Sequence, residues 1–362
     1  MINLKKIGAT ALAGSLVAVS AYAGEMAVSG GANLTYKTGK SSVDDAASFG
    51  NDSDVGFTGT GELDNGWTFV MQATSTDDLG LSSSYTTLTM GDLGSFTIGQ
   101  SSGGAGSKYD EEVPQAYEQA SDAASGTSAS SNKIGDQMDN GGLLYSSPSF
   151  DLGGASVSFD AEFVPTANND GSGDGGQAAA SNTVGSGYGL GITAKYEGAT
   201  FGIYGGEIEG KDAGGSASQT PRDSFEGAVY AKYAMGPVSF GVSRSHLDSG
   251  NNAAGSAATE GYTIRTAPGI FENDQMSVAF TVNDDLSVSL TRSKDNYSGA
   301  DTFTPAAAAV DVSVDQTTTA LQAAYSMGAM SIKAYNMKVK NVGYDSNAGD
   351  LSVTEVALGL AF

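Results

Sequence analysis

The chain has one histidine, His246, within Ser243-Arg244-Ser245-His246-Leu247-Asp248. Serine, histidine and aspartate are the three groups of a hydrolytic triad, in which the ring takes the serine proton and the carboxylate orients the ring. A triad is assembled from separate strands or loops, so Ser245 and Asp248 beside His246 are no evidence for one. Neither a G-x-S-x-G elbow nor an H-E-x-x-H pair is present. Gly185-Ser186-Gly187-Tyr188-Gly189-Leu190-Gly191 has the glycine density of a phosphate loop, but Ile192 stands where G-x-G-x-x-G needs glycine, and a strand pattern follows. Asp170-Gly171-Ser172-Gly173-Asp174-Gly175 resembles the start of a calcium loop, yet its twelfth position is Ser181 instead of the bidentate glutamate. The remaining chemistry is that of carboxylates. Asp110, Glu111 and Glu112 are adjacent, and Asp136 and Asp139 follow in the same stretch, residues 101–140. Crowded carboxylates repel one another. A Ca²⁺ ion at Asp110, Glu111 and Glu112 would relieve that repulsion and stiffen the stretch; solvated, the same acids set a negative field. No other cofactor is expected.

The elements around this stretch are strands. Alternation at period two marks sixteen of them, at residues 26–37, 55–63, 67–73, 85–91, 96–98, 142–148, 155–163, 188–196, 200–208, 225–234, 238–247, 275–282, 286–294, 316–326, 330–340 and 351–362. The pattern is weakest over 262–271. Asp64-Asn65-Gly66 reads as a tight hairpin with both central residues at positive φ. Short connections, at residues 64, 92, 197, 236, 284 and 328, alternate with long polar ones near 38–51, 101–140, 164–187, 209–223, 248–272, 295–315 and 341–350.

Each strand has one apolar face and one face of Ser, Thr, Gly, Gln and a few charges. A sixteen-stranded barrel is too wide to be filled by side chains. The consistent arrangement puts the apolar face against lipid and the polar face against water. In lipid only helices and closed barrels satisfy their backbone groups, and short turns at one end with long loops at the other fit a transmembrane barrel. A soluble, repetitive β-protein is the alternative, but no fixed repeat supports it.

The N-terminus carries Lys5-Lys6, an apolar run over residues 7–19 and Ala21-Tyr22-Ala23, the marks of a secretory signal ending at residue 23. The barrel domain is then 24–362. The full chain holds 17 basic and 41 acidic residues, for a net charge of −24. Loss of Lys5 and Lys6 leaves 15 basic and 41 acidic, or −26. Such a charge excludes nucleic acid as a partner. The chain has no cysteine, hence no disulfide framework and no thiolate chemistry.

Several segments resemble the general bacterial porins, in style nearest to the trimeric porins of alphaproteobacteria. Glu62-Leu63-Asp64-Asn65-Gly66-Trp67 is similar to the first periplasmic hairpin of that family. Gly91-Asp92-Leu93-Gly94-Ser95-Phe96-Thr97-Ile98-Gly99-Gln100 is similar to the hairpin before its third loop, and Leu143-Leu144-Tyr145-Ser146-Ser147-Pro148-Ser149-Phe150 to the strand after it. The chain ends, as these proteins do, on a phenylalanine, Phe362. The resemblance implies a sixteen-stranded antiparallel barrel in the outer membrane, in contact with lipid and lipopolysaccharide. It implies a homotrimer joined through the first five strands, and a passive channel for small hydrophilic solutes and ions. It also implies that residues 101–140 fold inward, with Asp110, Glu111, Glu112, Asp136 and Asp139 at the constriction. A receptor or structural barrel with a closed lumen is the alternative function.

Strand phase places Glu62, Asp160, Glu162 and Glu226, with Lys37, Lys195, Lys232 and Lys333, on the pore wall. Acids in excess predict a modest preference for cations. General porins often carry basic residues on the early strands opposite the third loop; here no Lys or Arg occurs from Ser41 to Ser107. Arg244 and Arg292 fall in phase with apolar faces near the outer strand ends, a position suited to lipid headgroups.

Overall fold

A computed structural model of the protein describes residues 24–40, 45–75, 80–100, 103–110, 112–120, 134–135, 138, 141–167, 184–210, 223–248, 250, 269–299, 314–347 and 349–362. The signal segment, Asp170 to Gly175, and Glu111, Asp136 and Asp139 lie outside them.

Seventeen strands form one antiparallel sheet. They are β1 (Glu25–Lys40), β2 (Asp45–Glu62), β3 (Thr68–Ser75), β4 (Leu81–Thr89), β5 (Ser95–Gln100), β6 (Gly142–Ser146), β7 (Phe150–Leu152), β8 (Ala155–Val164), β9 (Val184–Tyr196), β10 (Ala199–Gly210), β11 (Ser224–Met235), β12 (Val238–Asp248), β13 (Gly269–Thr281), β14 (Leu286–Gly299), β15 (Gln316–Met327), β16 (Met330–Lys340) and β17 (Leu351–Ala361). Apart from β6 and β7, each pairs with the next, and β1 pairs with β17, so the sheet closes without an edge. β6 and β7 pair with the same strand, β8, and are interrupted by Ser147-Pro148-Ser149. Proline cannot donate to a ladder, and it splits this one stave. The barrel therefore has sixteen staves, as the alternation predicts.

Closure is finished by the last residue. Phe362 and Gly30 exchange backbone hydrogen bonds, N–H of each to O of the other, both at 2.9 Å. A Cβ on Gly30 would meet the Phe362 ring, so glycine is what lets the terminal aromatic lie flat on β1.

The predicted inversion of faces is present. Met26, Met71, Leu321 and Met276 point outward and are exposed, whereas Thr291, Ser293, Gln316, Gln322 and Glu226 point inward and are buried. Two local expectations change. The segment near 45–51, read as polar loop, is strand: Asp45 to Thr60 continue the ladder against β1. β13 begins at Gly269, six residues before the apolar alternation becomes clear at Gln275. The turn at residues 63–67 is closed by Gly66 N–H to Leu63 O at 2.8 Å, with only Gly66 at positive φ (80°). Asn65 instead accepts the Trp67 N–H on Oδ1, so its side chain supplies the bond that a second positive-φ residue would have organised.

Candidate functional site

After β5 the chain leaves the wall and enters the barrel. Its described parts run around the inner wall from β8 to β17, touching nearly every stave on the way. Gly104 and Ala105 come first. Ala105 N–H donates to Glu162 Oε2 at 2.8 Å, and a side chain on Gly104 would collide with that carboxylate. Lys108 Nζ donates to Asp160 Oδ1 at 2.5 Å and to Ser146 Oγ at 2.8 Å. Tyr109 OH donates to Asp160 Oδ2 at 3.1 Å, and its ring stacks on Tyr204 with centroids 5.7 Å apart. The ring lies on Gly191, where any Cβ would overlap it.

The path then crosses β11 to β15. Glu112 is ion-paired with Lys232. Pro114 packs on Gly241 of β12, and its carbonyl accepts from Ser277 Oγ of β13. Ala116 N–H donates to Ser289 Oγ of β14 at 2.9 Å. Gln322 of β15 holds two loop groups, accepting Tyr117 N–H on Oε1 at 2.8 Å and donating Nε2–H to Glu118 O at 2.5 Å. Tyr117 OH donates to Glu355 Oε1 of β17 at 2.7 Å, and Tyr335 OH reaches Glu355 Oε2 at 3.0 Å. Lys37 closes the series at 3.8 Å from Glu355. Gly135 N–H donates to Glu226 Oε1 at 2.9 Å, which Tyr204 OH also reaches at 3.0 Å.

Two apolar clusters back these polar bonds. Ala105, Tyr109, Ile134 and Met138 of the loop are buried with Leu144, Val164, Ile208 and Tyr230. Ala120 is buried with Tyr335, Met337 and Val353, and Tyr117 packs against them. Glu162, Glu226, Ser277, Ser289 and Gln322 of the inner wall are each bonded to loop backbone. Replacing Gln322 with Leu would orphan Tyr117 N–H and Glu118 O at a cost of about 1–3 kcal/mol each. The expected result is a barrel of unchanged fold whose single-channel current is noisier and whose loop is cut faster by protease.

Burial pushes the Tyr109 and Tyr117 phenols above their ordinary 10.0, and for Tyr117 the bond to Glu355 adds to it. A phenol raised in the folded state contributes stability that is complete below the unfolded value, about 10, and is lost as pH rises through the folded one. Conductance should therefore show no step from these anchors between pH 5 and pH 9, and loop release should begin only above about pH 10. A titration of single-channel current checks this.

By pairing register Lys37, Glu62, Asp160, Glu162, Lys195, Glu226, Lys232 and Lys333 lie on the inward side of their strands. Asp160, Glu162 and Glu226 are covered by the loop, and they hold it. Glu62 lies near the short-turn end of β2, and Lys195 near that end of β9. Lys333 sits over the Tyr117 ring, 5.2 Å from its centroid. Of the constriction residues, Asp110 accepts from Gln119 Nε2 at 3.3 Å and Glu112 faces Lys232. Among the described residues no three His, Cys, Asp or Glu side chains gather in a group able to hold a metal ion. Sequence reasoning missed Lys108, Glu355, Gln322 and the landing sites Gly191 and Gly241. Their in-phase position on a polar face is the one signal that sequence offers, and it does not say what they touch.

His246 points outward beside Glu272 (Nδ1 to Oε1, 3.4 Å), while Ser245 takes the opposite face of β12 and is buried. The wall itself separates the two groups.

A closed sixteen-stave barrel, apolar outside, polar inside and with a loop laid along its inner wall, defines a channel of a lipid bilayer. The family model for Gram-negative porins matches residues 8–362. The chain belongs to that family, which places it in the outer membrane. Solved structures share the fold. Salmonella typhi OmpF aligns at 13% identity and TM-score 0.67, over 94% of this chain and 98% of OmpF. A porin refined at high resolution aligns at 17% and 0.63, over 93% and 100%. The trimer form of Vibrio cholerae OmpT, an outer membrane protein, aligns at 13% and 0.56, over 94% and 100%. No curated protein matches the sequence.

Proposed function

We propose that this outer-membrane channel is a passive diffusion pore for small hydrophilic solutes and ions, narrowed by its inward loop and modestly selective for cations. The carrying observation is the route of residues 103–120. Anchored from Glu162 to Glu355, its described residues thicken the wall at β8–β17 and do not cover the inner face of β1–β5. The inner face of that arc is hydroxyl- and amide-rich, with Ser29, Asn33, Thr35, Gln72, Tyr85, Thr87 and Thr97, and carries Asp52, Asp54 and Glu62 against Lys37 alone. Such a wall hydrates solutes without binding them tightly. In vesicles reconstituted with the protein, small sugars should enter freely and larger ones progressively more slowly. Equal exclusion of all sugars would favour a closed receptor barrel.

The assembly reading is a homotrimer joined through β1–β5. Small or polar residues, Gly30, Ala32, Ser53, Gly59, Gly61 and Ser84, stand there among larger outward ones such as Met26, Phe57 and Met71. The outward positions of β9–β14 are Ile192, Phe201, Ile203, Val229, Phe240 and Leu290. Small residues allow close approach of two walls, and polar ones at bilayer depth are cheaper inside a subunit contact than against lipid. Light scattering in detergent should give three protomers per particle; a monomer across a wide concentration range would count against it.

A further inference from the structure

The outer ends of β12–β17 exchange their faces. On β16 Ile332 points outward and Lys333 inward, but nearer the outer end Lys338 and Lys340 point outward and Met337 and Val339 inward. Val353 follows on β17. Leu247, Phe271 and Tyr297 are the outermost inward side chains of β12, β13 and β14. Apolar groups lining a water-filled mouth would be wetted at a cost, yet these inward groups are all buried.

The connection from β16 to β17 covers them. Val342 packs against the cluster of Met337, Val339 and Val353, which also holds Tyr117 and Ala120 of the inward loop. Tyr344 is 7% exposed, its ring centroid 5.7 Å from that of Tyr297 and 6.2 Å from that of Phe271. Asn341 Nδ2 donates to Asp315 O and Gly343 N–H to Gln316 Oε1, both at 2.9 Å, which ties this strap across the start of β15. The strap is bent against its backbone preference: φ is 53° at Asn341, 68° at Gly343 and 62° at Tyr344. Positive φ in a bulky residue is an outlier. It persists only where the surroundings over-determine it, and such residues gather at switches. Lifting the Tyr344 ring from its seat would relieve that strain. Beneath the seat lies a carboxylate. The next inward pair below Phe271 and Tyr297 is Asn273 and Asp295, bonded at 2.7 Å from Nδ2 to Oδ1. Asp295 is 1% exposed, and its neighbour on β15 is Gln316, which holds the strap.

We propose that residues 341–347 form a hinged lid on the outer mouth, latched shut by Tyr344, and that its lifting widens the mouth and opens Asp295 to the passing solution. Burial of the ring favours the closed state and the bent backbone opposes it, which brings the two states close in free energy. The lid rests on the channel reading and deepens it with a second control, placed outward of the inward loop.

The test uses single channels of the full barrel in a planar bilayer. Wild type should hold one main open level with brief steps to a higher one. Tyr344→Ser removes the latch and should raise occupancy of the higher level about tenfold or more. In a KCl gradient Tyr344→Ser should also move the zero-current potential toward potassium, and adding Asp295→Asn should cancel that move. A second arm does not rely on one substitution. Tyr297→Cys with Tyr344→Cys should occupy the higher level, fall to the main level when bridged by a short bis-methanethiosulfonate, and return when a reductant cleaves the bridge. Open channels whose level occupancy is the same in wild type, in Tyr344→Ser and before and after bridging would overturn the lid. A higher current in Tyr344→Ser without the shift in potential would overturn the uncovering of Asp295. No open step in any form would instead be a failure of the channel reading, and the lid would fall with it.

Discussion

Replacing residues 110–118 by a short glycine-serine link raises single-channel conductance and admits sugars that the parent excludes. The reason is steric. This segment lies against the inner wall of β11–β17 and takes up bore there, held at Lys232, Ser277, Ser289, Gln322 and Glu355. The barrel does not depend on it, because strand pairing alone closes the ladder. Wall groups that lose their loop partners, such as Ser289 and Gln322, become wet, so they escape the penalty of a buried, unpaired group. The variant should keep the far-UV circular dichroism of a barrel and its resistance to unfolding in detergent. Unchanged conductance from such a folded variant would show that the loop does not limit flow.

The second large effect is on charge selectivity. In a KCl gradient the wild-type zero-current potential should have the sign of a potassium preference. The lumen-facing lysines are largely answered by acids: Lys232 by Glu112, Lys108 by Asp160 and Lys37 by Glu355. Asp52, Asp54 and Glu62 face inward on β2, and no Lys or Arg occurs in the sequence from Ser41 to Ser107. A water-filled cleft with an excess of one sign concentrates counter-ions. Salt screens beyond about 8–10 Å at physiological strength, so the preference should shrink as KCl rises. Glu112→Gln should move the potential toward chloride, because it removes a carboxylate and also releases the Lys232 ammonium. A wild-type potential favouring chloride at low salt would mean that the lysines govern the passage.

Much of the fold was legible because a lipid-facing strand must alternate. Val288, Leu290 and Phe240 had to share a face, and Lys232 and Glu226 had to take the other. Phase therefore assigned the wall residues without contact information. What alternation cannot show is a strand end with little apolar alternation: between Asp45 and Asn51 only Ala47 and Phe49 are apolar on the outward side, yet the whole segment pairs with β1. Nor can it show partners far apart in the chain. Tyr117 and Glu355 are separated by 238 positions and Ala116 and Ser289 by 173, and only closure of the barrel brings them together. Gly191 and Gly241 look like ordinary strand glycines; their purpose appears only when Tyr109 and Pro114 are seen lying on them. The sequence groups the acids of the loop, but the pairing of Glu112 with Lys232 depends on where the loop lands.

The absence of native cysteine allows one direct measurement on a single introduced thiol. Asp110→Cys, recorded as single channels in a planar bilayer, is exposed during the recording to a bulky, water-soluble methanethiosulfonate. A reproducible open step that falls to a lower, stable level on modification is the predicted result, since residue 110 lies on the loop inside the lumen. A protein that folds and labels, but shows no open step or keeps its current unchanged after labelling, would contradict a water-filled pore narrowed by this loop.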